Sequence, residues 1–155
     1  MTLDSIAVTQ HVLAEYQLDT HGIHGPAHWL RVRANGLALA RLTPDADRTV
    51  IEAFALPHDS RRNDDWADIG HGERAGEFAI ELHGRVSDHP TVGCRWDADR
   101  LDLSRLDRPP KDEFLSTLAA GDAAIQRKAW RHGASWRIDE TGAARWGIDV
   151  ALLSP

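Results

Sequence analysis

Four residues carry metal-ligand side chains at places from which they could meet: His28, the adjacent pair His58-Asp59, and Asp99. Histidine nitrogens combined with carboxylate oxygens suit Mn, Fe, Co, Ni or Zn, and a partly filled ligand set leaves positions for water and substrate. The adjacent pair is the focus. It closes the apolar run Ala53-Phe54-Ala55-Leu56 just after Pro57, which delivers two groups that resist burial to the edge of a core. Neighbouring side chains do not share one face of a helix. They can still converge on one ion where a helix ends, and Pro57 predicts an irregular backbone there.

Other residues could assist. His21 and His24 precede a helix opening at Pro26, and helix N-termini favour anions, so His24 is a candidate for placing a phosphate; the plainer alternative is a pair of solvated loop histidines. Arg61 and Arg62 could hold a phosphate through paired hydrogen bonds, or form ion pairs with Asp64 and Asp65. His71 is either an outer partner of the metal site or a residue at a helix start. Asp97 and Asp102, flanking Asp99, are expected to accept hydrogen bonds, for instance from a ligand histidine, rather than to coordinate. Arg31 and Arg100 are expected in structural ion pairs. Trp29, Trp66 and Trp96 are expected to pack the core or its rim, and Trp130, Trp136 and Trp146 to pack the tail onto the rest.

The elements that must position these groups are helical. Apolar residues at helical spacing predict helices over 3–18, with Thr2 or Asp4 as N-cap, and over 26–42, with Pro26 at its first position and His28 in its first turn. A third helix is predicted from Pro44 or Asp45 to Leu56, ending at the His-Asp pair. Residues 60–72 read as a polar exposed loop, 73–82 as a helix and 83–91 as a loop. Helical spacing resumes at Asp97 and is stopped by Arg108-Pro109-Pro110; residues 112–130 form a further helical region that Gly121-Asp122 interrupts. Around Asp139-Glu140-Thr141-Gly142, alternating polar and apolar residues from Ser135 to Ile148 predict a short C-terminal β-hairpin.

With 155 residues, one domain is expected: a helical body over 1–132 carrying an extension over 133–155. The net charge of -6 argues against binding a nucleic-acid polymer, which needs a basic footprint. No apolar run approaches the ~20 residues of a membrane span. Cys94 stands alone, so no intramolecular disulfide can form, and residues 1–16 lack the basic and apolar segments of a signal peptide; a cytoplasmic protein is expected.

The order His, His-Asp, Asp resembles the HD-domain superfamily of metal-dependent phosphohydrolases. The resemblance is carried by His28-Trp29-Leu30-Arg31-Val32, by Phe54-Ala55-Leu56-Pro57-His58-Asp59-Ser60-Arg61-Arg62 and by Trp96-Asp97-Ala98-Asp99-Arg100-Leu101-Asp102, within residues 20–106. It implies an all-α, HD-domain-like bundle that pools His28, His58, Asp59 and Asp99 around one divalent ion, Mn, Fe, Co, Ni, Zn or Mg. It further implies a hydrolase that uses a metal-activated water on a nucleotide or other small phosphate ester, with His58 and Asp59 at the reaction centre and Arg61, Arg62 and His24 placing the phosphate. Two departures accompany it. Only about a dozen residues separate Leu82 from Trp96, fewer than in relatives sharing these patterns, and Arg62-Asn63 stand where some nucleotide-hydrolysing relatives have an acidic pair. The short segment leaves room for a pocket wall supplied by a second copy in a homo-oligomer, or for a metal- or nucleotide-binding regulatory module without turnover.

Overall fold

The structure, a computed structural model, describes residues 4–66, 68–71 and 86–153. Within them the chain is all helical: α1 (Ser5–Glu15), α2 (Pro26–Ala40), α3 (Arg48–Ala55), α4 (Pro90–Leu101), α5 (Ala123–Ala134) and α6 (Glu140–Trp146), with 3-10 turns between and after them. Aspartates start most of these helices. Asp4, Asp47, Asp122 and Asp139 each accept hydrogen bonds from backbone N–H groups of the first turn, and Pro26 and Pro90 occupy early positions where no N–H is needed.

α2 is the central element. It packs against α3, α4, α5 and α6, and 12 of its 15 residues are buried, so it is enclosed on nearly every side rather than along one apolar stripe. Close approach to α3 depends on Gly36, where an added Cβ would stand 2.6 Å from Ile51 Cγ2. Trp29, Leu30, Leu39, Ile51, Cys94, Ala98 and Leu101 form the middle of the core, which Trp146, Ile148 and Leu153 of the C-terminal segment extend.

Several boundaries differ from expectation for identifiable reasons. α3 starts at Arg48 rather than near Pro44, because Asp45 adopts a left-handed conformation (φ 62°) and Asp47 provides the cap. α4 starts seven residues before Asp97, at Pro90, and passes at Leu101 into a 3-10 turn, Asp102–Leu106, which Asp107 closes in the left-handed region. Residues 112–130 divide at Gly121-Asp122 as predicted, with short 3-10 turns before Asp122 and α5 after it. The hairpin expected between Ser135 and Ile148 is instead α6. Asp139 caps a helix there, and Gly147, at φ 65°, terminates it, so Trp146 and Ile148 reach the core from a helix and its exit rather than from paired strands. The helix predicted over 73–82 lies outside the described residues. Among those described, no helix is long and apolar enough to cross a membrane.

Candidate metal centre

Helix ends and helix spacing bring the four ligand-type residues together. His28 and Arg31, three apart on α2, face Asp99 and Asp102, three apart at the end of α4. His58 and Asp59 follow α3, whose regular ladder stops at Ala55. Backbone turns from His58 N to Phe54 O, Ser60 N to Pro57 O and Arg62 N to Asp59 O then fold the chain over itself and turn both side chains inward.

The resulting cluster is compact and buried. His28 Nε2 lies 3.1 Å from His58 Nε2, 3.3 Å from Asp59 Oδ2 and 3.4 Å from Asp99 Oδ1. His58 Nε2 and Asp59 Oδ2 are 3.9 Å apart. His28, His58 and Asp59 are closed off from solvent, whereas 26% of the Asp99 side chain is exposed and forms the open side of the cluster. Two overlapping sets able to hold a metal ion share His28: His24, His28 and Asp59, and His28, His58 and Asp99.

Hydrogen-bond partners fix which nitrogens carry protons. His58 Nδ1 lies 2.9 Å from the carbonyl of Ala55, which can only accept, so this nitrogen donates. His28 Nδ1 lies 2.7 Å from Asp102 Oδ2 and donates to that carboxylate. His58 thus turns the lone pair of its Nε2 toward His28 Nε2 at 3.1 Å, with two carboxylate oxygens alongside His28 Nε2. Burial pushes the His58 imidazole down to about 4, so a proton on that ring does not relieve the arrangement at neutral pH. Gathered in this way, these groups could hold a cation. Bonds of about 2.1 Å at tetrahedral or octahedral angles put neighbouring ligand atoms about 3.0–3.4 Å apart, which the three distances from His28 Nε2 match and the 3.9 Å between His58 Nε2 and Asp59 Oδ2 exceeds.

The surroundings hold the carboxylates ionised. Burial works against the charged form of Asp59, but His58 and hydrogen bonds from His24, His28 and His71 outweigh it and hold its carboxyl well below the usual range. Burial also opposes the charge on Asp99 and Asp102. Nearby His28 and Arg105 lower Asp99, and His28 with Arg31 lowers Asp102. Asp102 is an orienting partner, as expected: it takes the His28 Nδ1 proton on one oxygen and the Arg31 Nε hydrogen bond, at 2.7 Å, on the other. Asp97 lies elsewhere. It binds the Ser116 and Thr117 backbone N–H groups and the Thr117 hydroxyl.

The expected phosphate-placing residues have partners of their own. His24 Nδ1 sits 2.6 Å from Asp59 Oδ2, inside the cluster rather than at its mouth. Arg62 is buried, donating to Asp59 Oδ1 at 3.3 Å and to the carbonyls of Asp64 and Trp66, so it orients Asp59. Arg61 pairs with Glu15 on α1. His71 belongs to the same network, with Nε2 3.2 Å from Asp59 Oδ1 and Nδ1 against the Asp68 carbonyl. Trp29 is core, Trp96 lies beneath the Arg100 guanidinium, and Trp66 is 86% exposed. Arg105 was not anticipated. It binds the Ile23 carbonyl at 2.8 Å and the Asp102 carbonyl at 3.0 Å, latching the loop before α2 to the ligand-orienting aspartate; its spacing of three from Asp102 is the one hint in the sequence.

Comparison of the chain with protein-family models, with curated proteins and with solved structures finds no match. The chemistry of the cluster is therefore argued from its own residues.

Proposed function

We propose that the chain is a metal-dependent phosphohydrolase of the HD type, acting on a nucleotide or other small phosphate ester. The observation that carries this reading is the convergence of His58 Nε2, Asp59 Oδ2 and Asp99 Oδ1 on His28 Nε2, each within 3.4 Å of it. The ordered motifs around His28, His58-Asp59 and Asp99 support phosphate chemistry in particular. When bound, a divalent ion there supplies positive charge for phosphate oxygens and lowers the pKa of a bound water toward neutrality.

The protein's own contribution is positioning and proton control. Asp102 and the Ala55 carbonyl keep the Nδ1 protons in place, so both Nε2 atoms stay free to bind. Arg62 and His71 hold one oxygen of Asp59 and leave the other facing the histidines. Asp99, the most exposed of the four, marks the side from which a substrate arrives. His24, hydrogen-bonded to Asp59 Oδ2, is placed to exchange a proton with a group bound there.

A second reading is a module that holds a metal or nucleotide without turnover. The burial of three ligands and the engagement of Arg61 and Arg62 with protein carboxylates favour it. Full-length protein supplemented in turn with Mn, Fe, Co, Ni, Zn or Mg and assayed against nucleotides and sugar phosphates separates the two. The hydrolase reading expects metal-dependent phosphate release that His58→Ala and Asp59→Ala abolish. Release that persists undiminished in Asp59→Ala, or without metal, refutes it. Retained metal without turnover on any substrate favours the binding module.

A further inference from the structure

Arg31 reaches beyond the metal centre. Its Nε is committed to Asp102, but Nη1 and Nη2 have no hydrogen-bond partner among the described residues, although Arg31 is 2% exposed. Buried guanidinium donors left unpaired are costly, and such groups in folded proteins ordinarily find an acceptor. Arg31 lines a cleft of about 650 Å³ between α2 and the segment that joins α5 to α6.

Basic residues gather on the other walls of the cleft. Lys128 and Arg137 line it with exposed side chains that make no ion pair among the described residues, and His132 stands beside them. Burial lowers the His132 imidazole, and the positive charges of Arg137, Lys128, Arg131 and Arg31 lower it further. Of the acids lining the cleft, Asp139 is already engaged by Arg33 at 3.1 Å and by the Gly142 N–H, which leaves Glu140 as the one opposing charge. Trp136 completes the wall. Its backbone is in the left-handed region, φ 51°, and its ring centre lies 5.4 Å from the Arg31 guanidinium carbon.

From these features we propose that the cleft is a second ligand site, which takes the phosphate group of a small metabolite on Arg31, Lys128 and Arg137, with Trp136 as a flat contact for the rest of the molecule. A guanidinium presents paired donors that match two oxygens of a phosphate, and an indole face accepts a planar or apolar group. Among the described residues none of the three cations hydrogen-bonds or ion-pairs with His28, His58, Asp59 or Asp99, and the cleft joins the metal centre only through the Arg31–Asp102 pair. It does not depend on the hydrolase reading.

The test is titration of full-length protein with inorganic phosphate, read at the Trp136 indole N–H resonance and assigned with Trp136→Phe. The resonance should move saturably, while potassium chloride of equal ionic strength leaves it in place. The double variant Lys128→Ala/Arg137→Ala should weaken binding about tenfold or more, the loss expected for two charge-assisted contacts, with metal content and thermal midpoint unchanged. Asp59→Asn, altered only at the metal centre, should keep the response. A Trp136 resonance that does not move, that moves equally with chloride, or that moves equally in the double variant would overturn the proposal.

Discussion

Replacing Asp102 by asparagine tests the orienting role of a residue that touches no ion itself. The carboxylate accepts two hydrogen bonds of 2.7 Å, from His28 Nδ1 and from Arg31 Nε, and is fully buried. Asparagine preserves the shape but turns one acceptor oxygen into an NH2 donor. If that donor faces His28, the ring must present Nδ1 as acceptor, which moves its proton to Nε2 and into the metal seat. If it faces Arg31, two donors meet and the Nε hydrogen bond is lost; in either orientation the buried guanidinium loses the charge of its partner. Coulomb attraction for a pair at 2.7 Å is about 6 kcal/mol at an effective dielectric of about 20. Part of that offsets desolvation, and the net loss on breaking a buried pair is about 3–5 kcal/mol. Metal affinity should fall about 10–100-fold, the usual cost of removing such an orienting partner. Denaturant unfolding of metal-free protein measures the first effect and calorimetric metal titration of folded protein the second. Wild-type metal affinity in folded Asp102→Asn would refute the reasoning about His28.

Asp97→Asn is the matching contrast: it should destabilise the fold by about 1–3 kcal/mol through the turn at Ser116 and Thr117, yet leave metal affinity unchanged in the same titration. Gly36→Ala should destabilise by about 1–2 kcal/mol, as crowding against Ile51 outweighs the gain in helix propensity, without altering metal stoichiometry. Stability of the metal-free protein should also depend on pH through His58. Its imidazole titrates at about 4 in the fold against 6.5 in the unfolded chain, so its contribution is complete above pH 6.5 and is lost as pH falls toward 4. At no more than about 1.4 kcal/mol per pH unit the loss is on the order of 3 kcal/mol. Unfolding curves across that range should flatten in His58→Gln, and an unchanged slope would contradict the assignment. Depressed carboxylates such as Asp59 act lower, losing their contribution as pH falls from about 3.8 downward.

The helical architecture, and the meeting of His28, His58, Asp59 and Asp99 in one cluster, were legible because both depend on local signals. Pro26 and the apolar spacing around His28 locate α2, and Pro57 after an apolar run marks the helix end that lets His58 and Asp59 turn inward. The partners of the ligands were harder to read. Nothing in the spacing of Arg62 says that it is buried against Asp59 rather than open to substrate, since that depends on how residues 60–71 fold back on themselves. The hairpin expectation failed for a related reason. Alternation around Trp136 and Trp146 is also what a capped helix with a left-handed exit produces, and the Asp139 cap decides between them through contacts that local sequence does not specify. Lys128, His132 and Arg137 fall across the end of the predicted helical region and the start of the expected hairpin, and only their packing beside Arg31 gathers the cations there.

The central claim is that four residues hold one ion, and an anomalous-scattering map of crystals grown with a divalent transition metal tests it most directly. A single peak within bonding reach of His28 Nε2, His58 Nε2, Asp59 Oδ2 and Asp99 Oδ1 is the predicted result. No peak at that position in crystals soaked with the metal, or peaks confined to other residues, would contradict it.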